Sequence, residues 1–149
     1  MNRSKILPPT YLLAALAAMP ILHFLVPIVK IIFFPWNMLG LLFLFCGAAL
    51  KLVSDRRFHQ AGTTVQPFEE SSTLITNGVF SLSRNPMYLG FILLLGGVAI
   101  FLGSLSPLMI LPIFAVLIEK NFIIREEKSL EKIFGKVYLD YKRKVRRWI

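Results

Sequence analysis

Four long apolar stretches constrain this chain of 149 residues more than any other feature. Hydrophobic residues make up 56% of the sequence, and the mean hydropathy of +0.67 is too high for an ordinary soluble domain of this size. A hydrocarbon core about 30 Å thick requires about 20 helical residues. The four stretches approach that length, and we expect each to cross a membrane as a helix: residues 10–29, 36–53, 86–103 and 104–120.

Short turns separate the first span from the second and the third from the fourth, because Pro and Gly interrupt the apolar runs near residues 27–35 and 103–107. The first run is too long for the apolar region of a signal peptide, so it is retained as a span. The sequence therefore predicts an all-α integral membrane fold, with four transmembrane helices in two helical hairpins. One domain covers the whole chain and ends in an amphipathic helical tail over residues 121–149.

The distribution of basic residues predicts the orientation. With four spans, the N-terminus, the polar loop 54–85 and the tail share one side, and of 17 Lys and Arg only Lys30 falls on the other. Basic segments remain cytoplasmic, so we expect both termini in the cytoplasm, in a membrane of the prokaryotic inner-membrane type. The net charge of +9 indicates contact with membrane lipids rather than nucleic acid, since no basic module exists apart from the spans.

The polar loop contains a turn signal at Asn77-Gly78. This signal is compatible with a small β-hairpin at the interface or with an irregular amphipathic connection. His23, inside the first span, is expected to form a hydrogen bond with a neighbouring helix. Two separate histidines and the single Cys46 do not form a typical zinc site, and no metal is expected.

The tail carries acid on its apolar face. Helical spacing places Glu127 on one stripe with apolar side chains, and Glu126 borders it; the stripe comprises Ile123, Glu127, Leu130, Phe134, Val137 and Tyr141. Burial of a carboxylate costs several kcal/mol unless it is paired. No basic residue lies four positions from either glutamate, so the pattern predicts a cationic partner from elsewhere. The alternative is a solvated helix whose glutamates pair locally.

The third span opens on Arg84-Asn85-Pro86-Met87-Tyr88-Leu89-Gly90. Asn at the N-cap and Pro at the first helical position form a favourable helix start. A cation beside a helix N-terminus opposes the helix dipole, so Arg84 predicts an anionic neighbour: a lipid phosphate, a tail glutamate or the carboxylate of a bound small molecule. Tyr88 fits either a ligand contact or an aromatic anchor at the membrane interface.

One helical hairpin separates this opening segment from a second group of residues: Glu126-Glu127, Leu130, Phe134-Gly135, Tyr138 and Tyr141. The two segments together resemble the isoprenylcysteine carboxyl methyltransferase and phospholipid methyltransferase superfamily of membrane enzymes. The resemblance covers roughly residues 62–149. It implies that the two segments fold over S-adenosylmethionine at the cytoplasmic membrane face. The cofactor contacts that it implies are Arg84, Pro86, Tyr88, Gly90, Glu126, Glu127, Tyr138 and Tyr141.

The chemistry of S-adenosylmethionine agrees with this resemblance. Its sulfonium and ammonium groups suit the two glutamates, its carboxylate suits Arg84, and tyrosine faces suit the sulfonium or the adenine. Methyl transfer needs alignment in a dry pocket and no metal. We therefore expect methyl transfer to a small amphiphilic or lipid-borne acceptor, which could be an isoprenylcysteine-like carboxylate, a thiol or a phospholipid amine. The first two spans carry no motif that selects among these acceptors.

The chain departs from the family pattern in two places. Asn85 stands where many relatives have His, and Lys144-Val145-Arg146-Arg147 replaces an Arg-Val-Pro-Arg ending. We expect Arg143, Lys144 or Arg146 to replace the family arginine, and we assign catalytic roles to Arg84, Glu127 and Arg143. Two rival classes are an NADPH-dependent membrane reductase of the sterol type, which has a similar C-terminal architecture, and a small non-enzymatic membrane protein.

Overall fold

A computed structural model of the chain describes residues 7–62 and 72–149, and it is all-α. A short 3-10 turn, Trp36–Met38, precedes the second helix, and a π-helical segment, Glu119–Ile123, joins the fourth helix to the fifth without a break. The α-helices are α1 Pro8–Leu25, α2 Leu39–Gln60, α3 Pro86–Leu102, α4 Leu105–Ile118, α5 Ile124–Phe134 and α6 Lys136–Lys144.

Three of these helical runs are long and apolar enough to cross a membrane, and α3 is a shorter apolar helix. The long runs are Pro8–Leu25, Trp36–Gln60 and Leu105–Phe134. The chain is therefore a multi-pass integral membrane protein. The first helix ends at Leu25, before the predicted end at residue 29, because Val26 precedes Pro27 and proline disfavours helical backbone in the residue before it.

Helix α3 lies in the centre of the bundle, with α2 on one side and α1 and α4 on the other. Glycines allow close approach of α2 and α3: a Cβ on Gly47 would lie 2.7 Å from the Gly90 carbonyl oxygen, and one on Gly97 would lie 2.7 Å from that of Gly40. Small residues are typical of tightly packed membrane helices. Gly90, predicted as a cofactor contact, thus lies at the contact between α2 and α3.

Side chains from α1, α3 and α4 form the core, and its buried members include Met19, Phe91, Leu95, Ala99, Phe114 and Ile118. At the end of the bundle near Gly103, His23 Nδ1 lies 2.7 Å from Ser104 Oγ. Ser104 is the N-cap of α4, so the predicted hydrogen bond between His23 and a neighbouring helix is confirmed.

The structure excludes one local alternative and contradicts one local prediction. Residues 74–77 form no strand, and Gly78–Ser81 forms a 3-10 turn with Gly78 at φ +63°, so the β-hairpin alternative is excluded. The tail is two helices, because Gly135 (φ +51°, ψ −123°) interrupts it in a conformation that other residues rarely adopt. The predicted stripe therefore ends at Phe134: Val137 is 65% exposed, whereas Tyr138 and Tyr141 are buried.

Candidate active site

The start of α3 and the C-terminal segment meet at one end of the bundle. The Arg84 backbone N–H donates to the Arg146 carbonyl at 3.0 Å. The Arg147 carbonyl accepts from Asn85 Nδ2 at 3.1 Å and from Ser83 Oγ at 3.2 Å. Trp148 packs against the hydrophobic core. These contacts hold the end of the tail beside the first turn of α3.

Asn85 occupies the N-cap of α3 and Pro86 follows it within the helix, as predicted. The Asn85 side chain makes no capping hydrogen bond, however, because its amide donates to the Arg147 carbonyl instead. The role predicted for this side chain is therefore wrong: Asn85 connects two segments, while Pro86 is buried and begins the helix.

Glu127 is the centre of a buried ionic cluster. The residue is 4% exposed, and Arg147 binds both of its carboxylate oxygens, with Nε at 3.0 Å and Nη2 at 2.8 Å. Arg84 Nη1 lies 3.2 Å from the same carboxylate, and Lys142 Nζ lies 3.9 Å away. A two-pronged arginine pair of this kind is among the stronger charge-assisted contacts in proteins. The charge of Glu127 is thus compensated within the chain.

Glu126 has different surroundings. Its carboxylate accepts a hydrogen bond from the Tyr88 hydroxyl at 2.7 Å and forms no ion pair with any described residue. The Tyr88 ring is buried, with the Phe122 ring 6.5 Å away between centroids. A partly buried carboxylate without a countercharge is costly, so Glu126 is suited to a cationic ligand.

Arg84 has donors without acceptors. Its side chain is only 8% exposed, and its Nε and Nη1 form no hydrogen bond with the described part of the chain, although Nη1 is in ion-pair contact with Glu127. Buried polar groups are nearly always hydrogen-bonded, and each exception requires an explanation. An anionic ligand group beside Arg84 would accept these hydrogen bonds.

Tyr138 and Tyr141 project from α6 into this end of the bundle and are both buried, with ring centroids 6.1 Å apart. The Tyr141 hydroxyl donates to the Phe80 carbonyl at 2.5 Å and so connects α6 to the 3-10 turn before α3. Burial raises the pKa of Tyr138 and of Tyr141 to about 12, and the Glu127 carboxylate contributes to the rise at Tyr138. Both side chains are therefore neutral phenols near neutral pH.

Arg143 does not join the cluster. Its side chain is 81% exposed, and Nη1 lies 3.7 Å from the Asp140 carboxylate. The basic side chain that reaches the cluster is Arg147, and its hydrogen bonds to Glu127 raise its pKa. The sequence contained this signal, because Arg147 occupies and matches the last position of the Arg-Val-Pro-Arg ending, whereas the expected replacements were Arg143, Lys144 and Arg146.

Glu119 is a second site residue that the sequence analysis missed. It lies in the π-helical segment and pairs with Arg147 Nη1. Segments of π-helix are rare and frequently occur at functional sites. No sequence motif predicts this segment, and the pair joins the end of the predicted fourth span to the end of the tail.

The fold and the site define a multi-pass membrane protein with a buried ionic cluster at one end of a helical bundle. The sequence model of the phospholipid methyltransferase family matches residues 36–137. The chain belongs to this family of membrane methyltransferases that use S-adenosylmethionine.

Three relatives are similar over part of the chain. The protein-S-isoprenylcysteine O-methyltransferase of Saccharomyces cerevisiae is 40% identical over 80 residues, which is 52% of this chain and 32% of the yeast protein. The B form from Arabidopsis thaliana is 34% identical over 80 residues, or 52% of this chain and 39% of the plant protein. An uncharacterised protein of Haemophilus influenzae is 41% identical over 63 residues, covering 42% of this chain and 100% of that protein. The chain thus spans only about a third of the length of the yeast and plant enzymes.

Proposed function

We propose that this protein transfers the methyl group of S-adenosylmethionine to a small amphiphilic or lipid-borne acceptor at the cytoplasmic face of the membrane. In this proposal α1 to α4 cross the membrane as two hairpins, and α5 and α6 lie on the cytoplasmic side. The observation that carries the proposal is that the site holds both a carboxylate without a countercharge, Glu126, and a buried arginine, Arg84, whose Nε and Nη1 have no hydrogen-bond acceptor among the described residues.

The two glutamates have separate roles in this proposal. Glu126, oriented by the Tyr88 hydroxyl, meets a positive group of the methyl donor. Glu127 is already matched by Arg147 and Arg84, so it holds the Arg84 guanidinium in place for the donor's carboxylate. Tyr138 and Tyr141, both neutral, supply aromatic faces beside these groups.

S-adenosylmethionine, when bound, supplies an activated methyl group, and the residues of the chain bind it, orient it and exclude water. The acceptor's lone pair forms a bond to the methyl carbon while the carbon–sulfur bond breaks. The electron pair of the breaking bond stays on sulfur. A carboxylate acceptor is already ionised near neutral pH, whereas an amine must first lose a proton. Alignment of acceptor and donor in a water-poor site is the main contribution that a helical membrane bundle makes.

The named relatives support a lipid-borne acceptor. The yeast and plant proteins are named for methylation of isoprenylcysteine, and the family is described by methylation of phospholipids. Both acceptor types join a polar reacting group to an apolar chain. A polar reacting group joined to an apolar chain, either in a lipid or in a small amphiphile, is therefore the acceptor class that we propose here.

Methyl transfer can be tested in membranes that contain the full chain and S-adenosylmethionine labelled in its methyl group. We expect label in a product that partitions into organic solvent, and mass spectrometry of that product identifies the acceptor. Glu126→Gln should strongly reduce the label, whereas Glu131→Gln, the same change on a partly exposed residue of α5, should preserve it. Label that depends on neither the protein nor Glu126 would contradict the proposal.

A further inference from the structure

The outward surface of α5 and α6 carries a dense array of basic side chains. All lie on the exposed side of their helices, away from the buried cluster around Glu127. We call this surface the outer basic face; it comprises Arg125, Lys128 and Lys132 on α5 and Lys136, Arg143 and Lys144 on α6.

The acids of the same two helices do not neutralise this face. Glu126 and Glu127 belong to the buried site, and Glu131 pairs with Lys142, which is not part of the outer basic face. Asp140 offsets Arg143 alone, at 3.7 Å. The remaining positive charges of the outer basic face have no acidic partner among the residues that the structure describes.

Apolar side chains are exposed among these charges. Ile133 on α5 is exposed, and so are Val137 and Leu139 on α6. All three lie outside the hydrophobic core. A helical surface that combines Lys and Arg with exposed aliphatic side chains is typical of segments that lie in the interface of an anionic membrane. Water alone would solvate the charges and leave the aliphatic groups unfavourably exposed.

We propose that the outer basic face binds the headgroups of anionic phospholipids in the bilayer that the chain spans. One Lys or Arg near such a surface increases binding about fivefold, so several acting together give a strong preference for anionic lipid. The charge complementarity and the exposed aliphatic groups select a lipid surface over a soluble acidic protein, which offers no apolar layer.

Binding at this face also affects the site, a consequence that rests on the proposed function. The inner faces of α5 and α6 carry Glu126, Glu127, Tyr138 and Tyr141. Gly135 joins the two helices, and a Cβ placed there would meet nothing within 4 Å, so the junction itself is open. Lys142 pairs with Glu131 across the junction, and anionic lipid on the outer basic face adds to the contacts that hold α6 in the position that completes the site.

Amide hydrogen exchange of α6 tests the lipid contact without any cofactor. The full chain is reconstituted in bilayers of phosphatidylcholine alone or mixed with phosphatidylglycerol. We expect slower exchange of α6 in the anionic bilayer, and loss of that difference in the triple variant Lys128→Gln, Lys132→Gln, Lys136→Gln. Arginine at the same three positions keeps the charge and should keep the difference.

Two results would overturn the lipid contact: equal exchange in both bilayers, or protection that rises with protein density and so indicates a second copy. The affinity for S-adenosylmethionine tests the coupling, and we expect it to be about fivefold higher in the anionic bilayer. Equal affinity would refute the coupling. Absence of binding in both bilayers would refute the proposed function, while the exchange result still decides the lipid contact.

Discussion

Glu126 and Glu127 are neighbours in the chain, yet their electrostatic surroundings are opposite. Successive residues of an α-helix point about 100° apart, so one carboxylate faces Tyr88 and the other faces Arg84 and Arg147. The cluster around Glu127 is compensated internally, and Glu126 lacks a cation among the described residues. This difference between adjacent carboxylates underlies the roles that we propose for them.

Substitution Glu126→Gln should weaken the binding of S-adenosylmethionine about 10- to 100-fold, the cost of losing one charge-assisted contact. Isothermal titration with S-adenosylmethionine and its demethylated product measures this effect. A loss confined to S-adenosylmethionine assigns Glu126 to the sulfonium, and an equal loss for both assigns it to the ammonium. Unchanged affinity for both would remove Glu126 from the site.

Substitution Arg147→Gln should reduce the free energy of unfolding by about 1–2 kcal/mol, because the buried Glu127 carboxylate loses its two-pronged partner. Arg147→Lys should restore only part of the loss, since an ammonium group cannot form the paired contact. The double variant with Glu127→Gln should cost less than the sum of the single changes. Chemical unfolding in detergent measures the wild type, the three single variants and the double variant, and additive effects of Arg147→Gln and Glu127→Gln would contradict the pairing.

At the scale of helices, the small residues between α2 and α3 determine how closely the bundle packs. Gly97 and Gly96 are adjacent on α3, so a substitution at Gly96 is a matched control for the same substitution at Gly97. A Cβ on Gly97 would lie 2.7 Å from the backbone of α2, whereas one on Gly96 would lie 3.5 Å from the Leu111 side chain. The first distance is a clash with backbone and the second is ordinary contact.

Substitution Gly97→Ala should therefore lower the free energy of unfolding by about 2 kcal/mol through overpacking. Gly96→Ala should be neutral or slightly stabilising, because alanine favours helix more than glycine does. Thermal unfolding of the two variants in the same detergent gives the comparison. Equal midpoints for the two variants would show that the close approach of α2 and α3 does not contribute to stability.

The helices of the bundle were predictable because each apolar run has the composition of a membrane span. The residues of α3 and the tail that come together at one end of the bundle were also predictable, since the spacing of Arg84, Tyr88, Glu126 and Glu127 resembles a family pattern. The family ending marks Arg147, but its contact with Glu127 was not predictable, because the two residues lie 20 positions apart on either side of the break at Gly135. Long-range pairs of this kind depend on backbone angles that no local pattern encodes.

At the scale of the whole molecule, the basic residues that the structure describes are concentrated at one end. Lys30, in the first short turn, is the exception among them and lies next to Ser104 at the other end, where the two chain segments form a β-bridge. An excess of Lys and Arg on one side sets the orientation of a membrane protein. We therefore propose that the outer basic face and the site are cytoplasmic and that the turn with Lys30 is on the opposite side.

Single cysteines introduced as Lys30→Cys or Lys136→Cys, in a Cys46→Ser background, test this orientation. In intact cells, a thiol reagent that does not cross membranes should label the protein with Lys30→Cys only. After cell disruption it should label both, because Lys136 is exposed. Labelling of Lys136→Cys in intact cells would show that the topology is the reverse of the one proposed and that the site lies outside the cytoplasm.

Arg84, Tyr88 and Glu126 are the residues that we propose bind a methyl donor. Their role can be tested by titration of the full chain in bilayers with S-adenosylmethionine, its demethylated product and NADPH. We expect saturable binding of S-adenosylmethionine and of its product, each weakened by Arg84→Gln, and no binding of NADPH. Saturable binding of NADPH alone, or of none of the three, would contradict the proposed methyl-donor site.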